Sequence, residues 1–240
     1  MLQIAVINES TSISDADVLK MLPAFTHQWN KDLQPVWGVD DAVFHFVSKN
    51  QAPAAGTWWV VFLDNSDQAG ALAYHDLTNE GLPLSKVFVK TLVADKASIS
   101  VGATHEICEM AVDPWLNSAY QDLHGIFWAG EVCDPVEADQ YGYHIGGTLV
   151  TDFVTPNWFA HKNSQKTIDF KNHANAAFQV LPGGYAQKFD PHHGWQQVTG
   201  KTAEGTQRAT AAHGSRRERR VRQWKGWQPS YVERGRAAQP

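Results

Sequence analysis

Thr104-His105-Glu106-Ile107-Cys108-Glu109 is the stretch on which the reading of this chain turns. Ser98 or Ser100 can cap a helix that runs through it. Asp113-Pro114 stops that helix near Val112, because the residue before a proline resists helical geometry. Four residues separate His105 from Glu109, which puts both on one helix face about 6 Å apart at the backbone, with Glu106 projecting beside them. Two ligands one turn apart with a glutamate between them is how a His-Glu-x-x-His helix grips a metal ion and supplies a general base for the water it activates. Here Glu109 takes the place of the second histidine. A carboxylate is an acceptable zinc ligand, but its charge weakens the ion as a Lewis acid and shifts preference toward harder metals.

A catalytic zinc needs a third protein ligand and an open position. Glu131, in Gly130-Glu131-Val132-Cys133-Asp134-Pro135-Val136-Glu137, is the expected third ligand, with Asp134 orienting a ligating imidazole. His124 and Asp139 compete for the third place. Asp113 continues the same helix face but sits about 12 Å of helix rise from His105, so a capping or supporting role suits it. The acids Glu131, Asp134, Glu137 and Asp139 fall within nine residues and also suit calcium, although they follow no EF-hand pattern. Cys108 and Cys133 have no basic neighbours that would activate a thiolate, and two cysteines are too few for a disulfide framework. Reduced thiols are expected, Cys108 as a small buried side chain and Cys133 as packing or an added ligand. Tyr141 or Tyr143 could polarise a carbonyl, His75 and Asp76 could line a rim cleft, and His192-His193 reads as a loop.

Upstream of the helix, Leu2–Asn8 reads as a strand. A helix follows from Ser14 or Asp15, with Val18, Leu19, Leu22, Phe25 and Trp29 at helical spacing and Pro23 expected to kink or shorten it. Strands are expected at 42–48, at Trp58–Leu63, as a short segment in 69–75 and at Lys86–Leu92, with a turn at Gly81–Pro83. Downstream, 115–150 mixes short segments with glycine turns, Thr148–Val154 reads as a strand, and 156–199 reads as loop-rich. The expected fold is α+β: a mixed twisted sheet with a long N-terminal helix and a site helix, then a loop-rich C-terminal part. The divisions fall at 1–114, 115–200 and 201–240.

The order strand, helix, strand, strand, edge strand, metal-binding helix resembles the N-terminal subdomain of zincin metallopeptidases. Residues 69–92 are similar to the rim that aligns an extended substrate, and Glu131 with Asp134 is similar to the downstream glutamate and aspartate of the gluzincin branch. The phrases His-Glu-x-x-Glu-Met-x-x-Asp-Pro, Glu-Val-Cys-Asp-Pro-Val-Glu-Ala-Asp and Val-Thr-Asp-Phe-Val-Thr-Pro-x-Trp-Phe also resemble an uncharacterised family of bacterial and phage proteins. The resemblance covers roughly residues 1–200. It implies an HExxE variant of the zincin helix. Zn²⁺ would lie on His105, Glu109 and Glu131, with Glu106 as general base and a peptide or protein as substrate. The alternative is a non-catalytic zincin-fold protein, for example a virion or assembly component.

Charge is unevenly spread. Residues 201–240 hold ten Lys/Arg against three Asp/Glu, or +7; subtracting these from the totals of 20 and 25 leaves ten against twenty-two, or −12, for residues 1–200. Arg216, Arg217, Arg219, Arg220 and Arg222, with Trp224 and Trp227, are expected to bind a protein partner or acidic surface. Nucleic acid is a weaker candidate, and docking of the tail on the acidic body is the alternative. No apolar run reaches the roughly 18 residues of a membrane helix. The N-terminus lacks the basic and apolar regions of a signal peptide, so a cytoplasmic or virion-associated protein is expected.

Overall fold

The computed structural model describes residues 1–49, 51–68, 71–160 and 167–200. The basic tail, with its arginines 216–222 and Trp224 and Trp227, lies outside them. The structure is α+β. Its larger sheet holds β1 (Leu2–Asn8), β2 (Ala42–Val47), β3 (Trp58–Leu63), β4 (Ala73–Leu77) and β5 (Pro83–Phe88) in the order β2-β1-β3-β5-β4. β1, β2, β3 and β5 are parallel, and β4 runs antiparallel along the edge of β5.

β3, Trp-Trp-Val-Val-Phe-Leu, is buried along its whole length. A parallel strand covered on both faces has no polar side to show, which is why it reads as a continuous apolar run. Trp58, Val60 and Phe62 join Ile4 and Val6 in the larger core, while Trp59, Val61 and Leu63 join Ala5, Ile7, Leu84 and Phe88 on the opposite face. At the edge, Lys86 Nζ donates to Asp67 Oδ2 (2.8 Å) and Tyr74 Oη (2.9 Å), and the Tyr74 hydroxyl donates to Asp67 Oδ1 (2.7 Å). Buried Lys86 and Tyr74 thus tie β4 to β5 on the face opposite the site, with Asp67 closing the trio from the surface.

α1 (Asp15–His27) begins at Ser14, whose Oγ accepts from Asp17 N at 3.1 Å. Pro23 does not stop the helix; the coil instead widens over Gln28–Leu33 into a π-helical turn and finishes as α2 (Gln34–Trp37). Gly38 closes it in the left-handed region at φ 69°, its N–H donating to Gln34 O. The wide turn carries Gln28, whose Nε2 donates to Thr151 O at 2.7 Å.

Some expected elements are shorter. The strand expected at Lys86–Leu92 ends at Phe88 and the chain coils into α3 (Val89–Ala94). Phe88 pairs with Leu63, the last residue of β3, so the ladder has no further partner to offer. Pro83 opens β5 rather than ending a turn, a place where its missing N–H costs nothing. The strand expected over Thr148–Val154 is confined to Thr148–Val150, because Thr151 N donates to the Thr104 hydroxyl and Thr151 O accepts from Gln28 instead of from a neighbouring strand.

α4 (Ile99–Val112) lies across β5 and β4. Ser98 stands at its N-cap, but its own side chain does not cap; Ser98 N donates to Asp139 Oδ2 at 2.8 Å. Asp113 takes the C-cap place, and its Oδ1 accepts from Asn117 N (2.8 Å) and Ser118 N (3.0 Å).

After α4 come β6 (Ala119–Gln121), β7 (Phe127–Ala129) and the hairpin β8 (Tyr143–Ile145) and β9 (Thr148–Val150), turned by Gly146-Gly147 at φ 55° and 86°. The segment expected to be loop-rich contains a second hairpin, β10 (Tyr185–Asp190) and β11 (Gly194–Thr199), which joins β7 and β6 in a four-stranded antiparallel sheet. Its strands are half polar, which hides their alternation. Trp128, Val132, Phe153, Trp158, Leu181 and Ala186 share the core of Ile4, Phe62 and Ile107. Among the described residues no helix is long and apolar enough to cross a membrane.

Asp139→Ala removes the acceptor at the start of α4. A lost helix cap costs about 1 kcal/mol, which for a chain of this size lowers Tm by roughly 2–4 °C. Calorimetry should show that loss with metal content unchanged.

Candidate metal centre

α4 is buried along nearly its whole length, from Ser100 to Ala111, and this brings three ionisable side chains into the interior together. At about 100° per residue, Glu109 falls about 40° round the axis from His105, and Glu106 about 100°. Glu109 therefore stands between the directions of His105 and Glu106, and it touches the neighbours of both.

On one side, His105 Nε2 lies 3.3 Å from Glu109 Oε1 and 3.1 Å from Asp134 Oδ1. Asp134 opens a 3₁₀ turn over Asp134–Val136, and the N–H groups of Cys133 (3.1 Å) and Asp134 (3.3 Å) donate to Glu109 Oε1. An aspartate that orients a ligating imidazole must use the ring nitrogen turned away from the metal. Asp134 meets the same Nε2 that Glu109 meets, so it stands where a ligand stands.

On the other side is His75, from the edge strand β4. Its Nδ1 lies 3.3 Å from Glu106 Oε2 and 3.6 Å from Glu109 Oε2, and its Nε2 lies 3.7 Å from Glu131 Oε2. His75, Glu109 and Glu131 thus form one group whose ligand atoms lie within 4.8 Å of one another, and His105, Glu109 and Asp134 form a second. Buried His, Glu and Asp side chains are in place to hold a metal ion. Glu131 gathers with Glu109 and His75, while the place beside His105 belongs to Asp134.

The scaffold fixes these positions. His75 pairs with Ser85 across the β4–β5 ladder, and the Ser85 hydroxyl donates to Glu106 O at 3.2 Å, which locks α4 against β5. Gly184 lies so close to the Asp134 turn that a Cβ there would meet Pro135 O at 2.6 Å and Asp134 O at 2.7 Å. This approach places Tyr185, the next residue, beside Asp134.

Burial sets the electrostatics. Desolvation raises Glu109 well above the usual carboxylate range; the charges of Asp134 and Glu131 add to this and His105 opposes it. Asp134 is raised first by desolvation, against hydrogen bonds from His105 and Tyr185. For His105 desolvation alone would lower the pKa, but the charge of Glu109 and the hydrogen bond to Asp134 outweigh it and hold the ring well above its ordinary value.

Other candidate residues lie elsewhere. His124 is exposed, with its N–H donating to Asp122 Oδ1 in the turn between β6 and β7. Asp139 and Asp113 serve the ends of α4. Glu131 and Asp134 face histidines while Asp139 faces Ser98 N, so the acids of 131–139 do not converge as a set. The Tyr143 hydroxyl donates to Asp32 (2.7 Å) and that of Tyr141 to Pro182 O (3.1 Å). His192 and His193 sit in the β10–β11 turn, where His193 Nδ1 is 2.9 Å from Asp190 Oδ2. Cys108 and Cys133 are buried free thiols, and burial pushes the Cys133 thiol up.

A third group, Asp152, Asp169 and His173, ties 152 to the 169–174 segment. Its oxygens already accept backbone N–H groups, Asp152 Oδ1 from Phe153 and Lys171 and the Asp169 carboxylate from His173 and Ala174. Burial, then the hydrogen bond and charge of Asp169, push Asp152 up to about 9 from 3.8.

Comparison with known proteins adds no relative: no family model, curated protein or solved structure matches the chain.

The Asp152 shift has a pH signature. The folded state keeps a proton that the unfolded chain releases near 3.8, so this contribution to stability is complete below that pH and is lost progressively up to about 9. Asp152→Asn mimics the protonated form. The difference in Tm between variant and wild type should grow in the variant's favour across that window; a constant difference refutes the assignment.

Proposed function

We propose that the chain is a metal-dependent hydrolase of peptide bonds, with a zincin-like N-terminal part and its centre on α4. The observation that carries this reading is the convergence on Glu109: two histidines and two further carboxylates, from β4, α4 and the 131–134 segment, meet it inside the protein. An antiparallel edge strand followed by a helix with two ligands one turn apart also supports it, since that is what the resemblance to zincins implies.

The residues fit an ion. His75 Nε2 is buried without a hydrogen bond, and ligand-atom separations of 3.1–3.7 Å surround Glu109. Two ligands on a tetrahedral zinc with bonds of 2.0–2.1 Å stand about 3.3 Å apart. His105, Glu109 and Asp134 would hold the ion, and a set of imidazole with carboxylates favours zinc over calcium, which takes oxygen alone. A bound zinc supplies Lewis acidity to a substrate carbonyl and lowers the pKa of water toward about 7. Glu106 takes the proton of the attacking water and passes it to the departing amine. His75 Nδ1, 3.3 Å from Glu106 Oε2, holds that carboxylate in place. An extended substrate would lie along β4, whose outer edge has no strand beside it in the sheet among the described residues.

One observation favours a second reading, a non-catalytic zincin-fold protein of structural or assembly use whose basic tail binds a partner. All six groups are buried, His105 and Glu106 at 6% being the most exposed. Structural metal sites are closed, whereas catalytic ones keep an open position.

Metal analysis of the purified chain comes first; absence of any bound transition metal, with no stabilisation by added Zn²⁺, sinks both the centre and the hydrolase. Glu106→Gln should keep the metal and lower hydrolysis of an unfolded protein substrate by about 10²–10⁴-fold. Hydrolysis that survives the change removes Glu106 from the mechanism. A metal-loaded wild type that cleaves nothing favours the closed structural centre.

A further inference from the structure

Glu109 belongs to both ligand groups, and its two oxygens are divided between them. Oε1 faces His105 Nε2 at 3.3 Å, while Oε2 lies on the His75 side, 3.6 Å from the ring at Nδ1, and Glu109 groups with His75 and Glu131 through ligand atoms that all lie within 4.8 Å of one another. Beyond Oε1 stands Asp134, and beyond the His75 ring stands Glu131. Each side offers an imidazole, a terminal carboxylate and one oxygen of a shared carboxylate. A carboxylate that gives one oxygen to each of two ions is the usual bridge of two-metal sites, where the ions lie about 3.5–4 Å apart.

The buried His75 ring adds an independent observation. Its Nδ1 is taken up by Glu106, whereas its Nε2 has no hydrogen bond and lies 3.7 Å from Glu131 Oε2. That distance is too long for a hydrogen bond and suits two ligands on one ion. A histidine that gives one nitrogen to a carboxylate and the other to a metal is the common arrangement of metal-ligating imidazoles.

We infer that the centre holds two divalent ions, one on His105, Glu109 and Asp134 and the other on His75, Glu109 and Glu131, with Glu109 bridging them. This rests on the metal centre proposed above and adds the second ion to it. With both ions in place, Glu106 would hydrogen-bond His75, a ligand of the second ion.

The test is stoichiometry in the full chain, stripped with a chelator, reloaded with Zn²⁺ alone and freed of excess ion by gel filtration. Elemental analysis should give two Zn²⁺ per wild-type chain. His75→Ala and His105→Ala should each retain one, and Glu109→Ala should weaken both by at least about 100-fold. Glu131→Gln keeps the shape of the side chain and should also leave one ion, which covers the case in which His75→Ala fails to fold. Loading with Mn²⁺ should give the spin-coupled resonance of a neighbouring pair. One ion in the wild type, kept in His75→Ala and in Glu131→Gln, overturns the second ion and leaves the single-metal hydrolase standing. No ion in the wild type overturns both.

Discussion

Carboxylates collected in a protein interior repel one another and cannot be solvated, so something must compensate them. Four of them meet at the centre of this molecule, with two imidazoles between them. Each ion taken out of water costs several kcal/mol even after the protein relaxes. Compensation within the chain is partial. Cys133 N and Asp134 N donate to Glu109, and His105 and His75 stand between the acids. Burial still raises the pKa of both Glu109 and Asp134 despite these contacts. Much of the surrounding architecture holds these groups together against that repulsion. Ser85 fastens α4 to β5, Asp139 fixes where α4 starts, and Gly184 brings β10 onto the Asp134 turn.

The parts of the fold that sequence makes legible are those whose signal is local. β1 and β3 are apolar runs, and α1 and α4 carry period and stop signals, so their ranges agree with expectation within a residue or two. Elements that end because a neighbour ends were not legible. β5 stops where β3 runs out of partners, and the strand at 148 stops where Gln28 of the π-helical turn and Thr104 of α4 take the backbone groups of Thr151. The β10–β11 hairpin is too polar on both strands to announce itself, since its stability comes from pairing with β7.

The same distinction runs through the site. His105, Glu106 and Glu109 are visible because helix geometry turns spacing into proximity. His75 is 30 residues upstream of His105 on a strand with buried side chains on both faces, and no spacing rule connects the two. Only the antiparallel return of β4 against β5, under α4, brings it there. Its one sequence signal is a histidine in an otherwise apolar edge segment. Asp134 was legible as a neighbour of His105, but sequence cannot say which ring nitrogen it meets. Tyr185 depends on a close backbone approach at Gly184 that no motif encodes.

The residues that converge on Glu109 come from three separate stretches, at 75, at 105–109 and at 131–134. Joining them closes loops of about 30 and 25 residues, and each closure costs chain entropy that grows only with the logarithm of loop length. With ions bound, the centre therefore works as a cross-link in a chain whose two cysteines are free. It would tie the edge of the sheet, the central helix and the segment after β7 at one knot that cannot close before Asp134 has been synthesised. With such a centre the stability of the folded state would depend on the free metal concentration around the protein, since mass action favours the state that binds.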